Sequence, residues 1–322
     1  MSQIVPTTGT YLDQILRESH PLWSEGLSLS QYERYWKAQV ATPWGAAHLD
    51  RVALVEDGRV TSSAKRYDLS ARIAGRIRRV LGIGAVFTSP ERRGQGGARR
   101  LLTAMLDAAL AEGYEFAMLF SEINPRLYES LEFVPVPLIE SRLGVARKGG
   151  GSPAVLIRAG DDRDIPAIAE ISSARSANAR LALDRSEDFI RFGLTKRRLL
   201  SGLGPPGLRE VEFLVTEEAH TAVAYIITSV HEGKWFIEDA GDRDPSGARL
   251  GAMLQAMLAR TPHLDQPEIR AWLPGNLVPP QVEIVETKPT EEIMMIRPLK
   301  DRSLPLPPLP AADTVYWHLD YF

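Results

Sequence analysis

The sequence predicts an α/β (α+β) fold: a mixed, twisted sheet flanked by helices, with a second, degenerate copy of the same plan. Three observations carry this. An apolar strand at 81–88 turns at Pro90 into a basic, glycine-rich loop and enters a helix without a break. In that helix Ala98, Leu101, Leu102, Met105, Leu106, Ala109 and Leu110 recur at helical intervals as one apolar stripe. A strand at 114–120 follows, and strand, crossover helix and strand in this order form a right-handed parallel unit. After a break at Arg147-Lys-Gly-Gly-Gly-Ser-Pro153, residues 154–166 restart with a strand, a polar turn and a helix.

The totals suit this plan. A chain of 322 residues with 44% apolar and 25% charged residues has room for two ordinary domains. Cysteine is absent, which excludes disulfides, thiolate zinc ligands and a covalent thiol mechanism. A formal charge of −3 gives no drive toward nucleic acid, so the arginines at 92–100 are a local feature. No run of 18 apolar residues exists and the start lacks signal-peptide character, so a cytoplasmic protein without membrane contact is expected. The six histidines form no i, i+3 or i+4 pair, and no metal is expected.

Residues 8–45 read as helical. Ser30 to Glu33 has capping-box spacing, and Tyr32, Trp36 and Val40 follow at helical intervals. Trp23, Tyr35 and Trp44 add aromatic surface that either packs helices on the sheet or lines an acceptor pocket. Residues 51–56 and 59–64 flank Asp57-Gly58, a hairpin signal. Residues 65–80 carry Arg72, Arg76, Arg78 and Arg79, which keep one side of a strand or loop in water. The helix spans about 96–112, and Gly113 is its C-terminal cap candidate.

The loop between strand and helix contains Arg93, Gly94, Gln95, Gly96, Gly97 and Ala98. Glycines let backbone N–H groups approach a ligand, and a helix N-terminus concentrates unpaired donors and positive charge. Together they suit a phosphate or pyrophosphate. Arg93, Gly96 and Ala98 fit the pattern Arg/Gln-x-x-Gly-x-Gly/Ala of the GNAT superfamily of acyl-CoA-dependent N-acyltransferases, which this stretch resembles. Leu127-Tyr128-Glu-Ser-Leu131-Glu132-Phe133 resembles that family's second motif, with Glu132 in place of the usual glycine. The resemblance covers about residues 50–140.

The resemblance implies acetyl-CoA as co-substrate. Arg93 to Ala98 would hold its pyrophosphate, and Val86, Phe87 and Thr88 would offer main-chain groups to its pantetheine arm and an oxyanion donor. Tyr128 is implied as general acid toward the thiolate, and Asn124 as an acyl-CoA contact or a helix cap. The base is open between Glu122, a water chain and the carboxylate of Phe322. The last candidate comes from a similarity to the enhanced-intracellular-survival type of acetyltransferase, in which a terminal carboxylate enters the site. This chain is shorter and has no room for that family's full third domain.

The expected layout is a catalytic domain at 1–147, a second GNAT-like domain at 154–275 and a proline-rich arm at 276–322 that docks back through its apolar end. The second half has Asp242 and Asp244 where a phosphate loop would stand, and like charges would repel a pyrophosphate. Its strands are expected at 212–216, 221–228 and 234–238, with a helix through Leu250, Met253, Leu254, Met257 and Leu258. The expected activity is acetyl transfer to a primary amine of a small molecule or peptide by direct attack. A non-catalytic acyl-CoA-binding or regulatory protein is the alternative. The oligomeric state is open.

Overall fold

The computed structural model describes residues 2–122, 125–146, 154–260, 265–275, 277–300 and 308–322. Two sheets organise them. The first runs in the order Ser2–Pro6, Leu49–Glu56, Arg59–Ile73, Arg76–Thr88, Phe116–Ser121, Ile293–Pro298, Val134–Pro135. Arg76–Thr88 and Phe116–Ser121 are parallel, and the helix Gly97–Ala111 crosses between them. That helix buries Leu101, Leu102, Met105, Leu106 and Ala109 against Leu81, Ile83 and Leu119. Each leucine, isoleucine or methionine among them contributes about 1.5–3 kcal/mol of transfer free energy.

The opposite face of this sheet is covered by aromatic helices. Gly9–Trp23, Leu29–Val40 and Pro43–His48 pack there with a long helix from the second half, Glu187–Leu203. Trp44 anchors the contact, with Phe189 and Phe192 at 4.9 and 4.6 Å between ring centroids.

The second sheet runs Val282–Pro289, Ile139–Val145, Ile269–Ala271, Lys234–Asp242, Thr221–His231, Arg209–Glu218, Ile157–Ala159. The helix Ala248–Ala259 packs on it. Strands are exchanged between the sheets. Ile139–Val145 precedes residue 147 yet pairs with Ile269–Ala271 and Val282–Pro289. Ile293–Pro298 lies beyond residue 276 yet fills the gap between Phe116–Ser121 and Val134–Pro135. It is buried on both faces through Met294, Met295, Ile296 and Arg297, as a central strand must be. The stretch after 276 therefore contributes a strand to each sheet before its apolar end docks. Thr314–Val315 then pairs with Leu181–Leu183 at the rim of the first sheet.

Local chemistry explains where the structure departs from expectation. The capping box belongs to Ser28 and Gln31, not Ser30, because Ser28 N–H donates to Gln31 Oε1 at 2.8 Å. Residues 65–80 form a second hairpin: Ala74 and Gly75, both at positive φ, turn the chain between two long strands. Arg78 and Arg79 pair with Glu115 and Asp68. Glu132 takes the glycine conformation, φ 64°, and its carboxylate meets Arg297 at 2.9 Å. The linker 147–153 and part of the proline-rich run, 304–307, lie outside the described residues. Among those described, no helix is long and apolar enough to cross a membrane.

Candidate active site

The opening strand parts from its neighbour where the site begins. Pairing between Arg76–Thr88 and Phe116–Ser121 ends at Ile83 and Leu119. On its other edge the strand bulges: Ala85 and Val86 together face Ala64, with Ala85 at φ 45°. Ser63 and Ser62 then pair with Phe87 and Thr88. The edge of Ala85 to Thr88 that faces the parallel strand is thus left without a ladder partner. Val86 lines a cavity of about 280 Å³ with Trp23, Ala85, Phe120, Ser121, Glu122, Leu127 and Tyr128. The Phe87 side chain is buried against Trp23, so only its backbone is available. Thr88 Oγ1 shares a 3.0 Å hydrogen bond with Ser62 Oγ.

The glycine loop follows. Gly94 and Gly96 sit at φ 77° and 75°, and Gly96 caps the helix Gly97–Ala111. The first helical hydrogen bond runs from Arg100 N–H to Gly96 O at 3.0 Å, so the N–H groups of Gly97, Ala98 and Arg99 precede the ladder. A Cβ on Gly97 would lie 2.7 Å from Ser62 Oγ, so glycine lets the helix start close to the sheet. Arg93 is exposed, with Nε 3.5 Å from Thr88 O, and Gln95 Nε2 donates to Glu91 O at 3.3 Å. This set of donors fits a pyrophosphate.

Tyr128 rises from the short helix Arg126–Glu129. Arg99 ties this helix to the loop by donating to Ser130 Oγ at 2.6 Å. Burial pushes the Tyr128 hydroxyl up to about 12, and the charge of Glu122 adds to it. The phenol therefore keeps its proton at neutral pH. Asn124 lies outside the described residues.

Phe322 reaches the same place from the far end of the chain. Gly82 and Gly84 stand opposite Tyr67 and Lys65 on the ladder, so two large side chains face two residues with none. Phe322 fills the space. A Cβ on Gly82 would meet its ring at 3.1 Å, and one on Gly84 would meet its carboxyl carbon and oxygen at 3.2 and 3.3 Å. Its ring packs 5.0 Å from Tyr67 and 5.6 Å from Phe120. Tyr321 donates its hydroxyl to Glu122, and Lys196 Nζ donates to Tyr321 O at 2.6 Å.

The second half holds this terminus. Arg185 is buried between Asp239 and Asp320, 3.0 Å from the latter. Arg197 donates to His318 O at 2.7 Å and pairs with Glu238 at 2.9 Å. Burial works to raise the Glu238 carboxyl, but Arg197 and His318 overcome it and hold it at about 2. Burial, then Arg197, lowers Lys196 to about 7.

A second cavity adjoins the first. It shares Trp23, Ala85 and Glu122 with it and is lined by Tyr32, Tyr35, Trp36, Lys65, Tyr67, Lys196, Arg197, Tyr321 and Phe322. The aromatic residues of 8–45 thus serve both roles left open by the sequence. Trp44 packs, while Trp23, Tyr32, Tyr35 and Trp36 line the cavity. Lys65, Lys196 and Arg197 carried no sequence expectation.

The matching place in the second half is closed. Gly247, at φ 70°, caps Ala248–Ala259 as Gly96 caps its helix. There the buried Asp242 carboxylate accepts from Arg249 N–H at 2.9 Å and Leu250 N–H at 3.2 Å. An internal anion stands where a phosphate would.

Residues 18–136 match the model of an acetyltransferase (GNAT) domain, and this part of the chain is a GNAT domain. No curated protein matches the sequence. Among solved structures, the chain is similar to a protein of unknown function from Enterococcus faecalis described as a probable N-acyltransferase, with 12% identity and a TM-score of 0.70 over 93% of this chain and 73% of that one. It is similar to Eis1 from Mycobacterium abscessus, with 13% identity and a TM-score of 0.55 over 94% of this chain and 74% of that one. A tandem GNAT protein from the clavulanic acid biosynthesis pathway matches with 11% identity and a TM-score of 0.52, covering 93% of this chain and 99% of that one. At such identities the likeness is one of fold, and the two sheets fit a tandem GNAT layout.

Proposed function

We propose that the protein transfers an acetyl group from acetyl-CoA to a primary amine by direct attack in a ternary complex. The observation that carries this is the meeting of Tyr128 and Phe322 on two adjoining cavities that share Ala85 and Glu122. The backbone donors from Arg93 to Ala98 hold the pyrophosphate. The free edge from Ala85 to Thr88 receives the pantetheine arm and offers a backbone N–H to the oxyanion. The aromatic cavity receives the amine. The Phe322 carboxylate removes its proton, with Glu122 held near by Tyr321, and Tyr128 protonates the departing thiolate. The second half acts as a clamp that sets the terminus in place, through Arg185, Lys196 and Arg197.

A thiol-release assay over a panel of amines tests this reading. Acetyl-CoA consumption should depend on the amine, and removal of Tyr321 and Phe322 should abolish it while acetyl-CoA binding persists. Full turnover by the truncated chain would remove Phe322 from the mechanism. Binding of acetyl-CoA without turnover of any amine would favour the non-catalytic alternative.

A further inference from the structure

Three strands place Arg51, Lys65 and Gly84 in one row: Arg51 is paired with Lys65, and Lys65 with Gly84. Directly opposed residues share a face of the sheet, and like charges so placed repel. Both cations also crowd one indole, with Arg51 4.8 Å and Lys65 5.4 Å from the Trp36 ring. Arg51 is only 3% exposed, and among the described residues no carboxylate pairs with its guanidinium; the Tyr32 hydroxyl is the side chain that offers it a hydrogen bond. Lys65 lines the aromatic cavity and, among the described residues, its ammonium enters no hydrogen bond or ion pair.

Nearby carboxylates are engaged elsewhere. Glu25 pairs with Arg209 at 2.7 Å, Glu122 accepts from Tyr321, and Glu238 takes Arg197 and His318. Lys196 lines the same cavity as a further basic group. Buried charge is costly unless paired, and here two cations share at most the chain terminus above Gly84. We infer that the acceptor brings the missing anion: it is an amino acid, whose carboxylate is received by Lys65 with Arg51 behind it. Gly84 and Lys65 stand on neighbouring strands, about 5 Å apart. An amine at the Phe322 carboxylate and an anion at Lys65 therefore belong to one small molecule. Burial, then Arg51 and Lys196, press Lys65 toward its neutral form, and a bound carboxylate opposes them.

The inference rests on the acetyl-transfer reading for the fate of the amine, but the subsite can be tested by binding alone. The probes are matched pairs: phenylalanine and phenethylamine, lysine and cadaverine, arginine and agmatine. Titration into the full chain with CoA present should show at least one amino acid binding about tenfold or more tighter than its decarboxylated partner. Lys65→Met should collapse that ratio toward one, and Lys65→Arg should restore part of it. Retained CoA binding reports that each variant folds, and the wild-type ratios decide the matter if one does not. Equal binding within every pair, tighter binding of the decarboxylated amines, or no binding by any probe overturns the inference. Thiol release on the same pairs reports separately on acetyl transfer: amino acids that bind without turnover uphold the subsite and sink the enzyme reading.

Discussion

Gly84 and Phe322 touch although more than two thirds of the chain lies between them, the terminal carboxyl group lying where a side chain on Gly84 would be. A Cβ there would be crowded from both sides, because Tyr67 Cε2 also lies 3.1 Å from the same point, and a branched side chain adds further atoms that the terminus must make way for. Gly84→Val should displace the terminus and lower kcat by about a hundredfold, the usual cost of a misplaced catalytic group. Acetyl-CoA affinity, measured by calorimetry, should hold. A variant with full turnover would show that the terminus is not the base.

Tyr128→Phe removes a proton donor and leaves the packing of the ring, including its edge contact with Phe133 at 6.3 Å. The expected loss in kcat is about 10²-fold or more, with little change in the KM for acetyl-CoA. Pre-steady-state thiol release measures the step directly. Wild-type release in the variant would assign the proton to water.

Much of this site is local in sequence. The strand, glycine loop and helix of 81–112, and Tyr128 in its short helix, follow from periodicity, turn residues and one pattern of arginine and glycine. What escaped the sequence is non-local. Lys65 matters because it faces Gly84, and that pairing is set by the hairpin turn at Ala74 and Gly75. Lys196 and Arg197 reach the cavity because the helix Glu187–Leu203 packs on Trp44, some 150 residues earlier. The strand exchange is likewise invisible in composition, since Ile139–Val145 alternates buried and half-buried residues from Ser141 onward, as it would in either sheet. Glu132 stands where the resembled motif has glycine, and its keeping a positive φ could not be anticipated, for its partner Arg297 lies far along the chain.

Lys196 predicts a pH dependence of stability. Its folded value is about 7, below the ordinary 10.5, because burial and then Arg197 disfavour the charge. Between those values the unfolded chain binds a proton that the folded chain does not. Stability should therefore rise with pH from about 7 upward, by at most about 1.4 kcal/mol per unit, and below 7 this contribution to the slope should vanish. Urea unfolding of wild type and Lys196→Met between pH 6 and 9 isolates the effect. The two stability curves should diverge above 7, and parallel curves would refute the assignment.

The two glycine-capped helices predict how much acetyl-CoA the chain takes up. Gly96 and Gly247 hold the same left-handed conformation at the same point of the same motif. At the first, among the described residues, no carboxylate accepts from the N–H groups that precede the ladder. At the second, Asp242 already accepts two of them. Filling that position with a phosphate would set two anions against one helix end, so calorimetry should give one acetyl-CoA per chain. Gly96→Val forces a β-branched residue into the left-handed region and should abolish binding altogether. Asp242→Asn keeps the shape of the cap but removes its charge, and should leave the stoichiometry at one. Residual stoichiometric binding in Gly96→Val would mean that the second helix takes an acyl-CoA despite its aspartate.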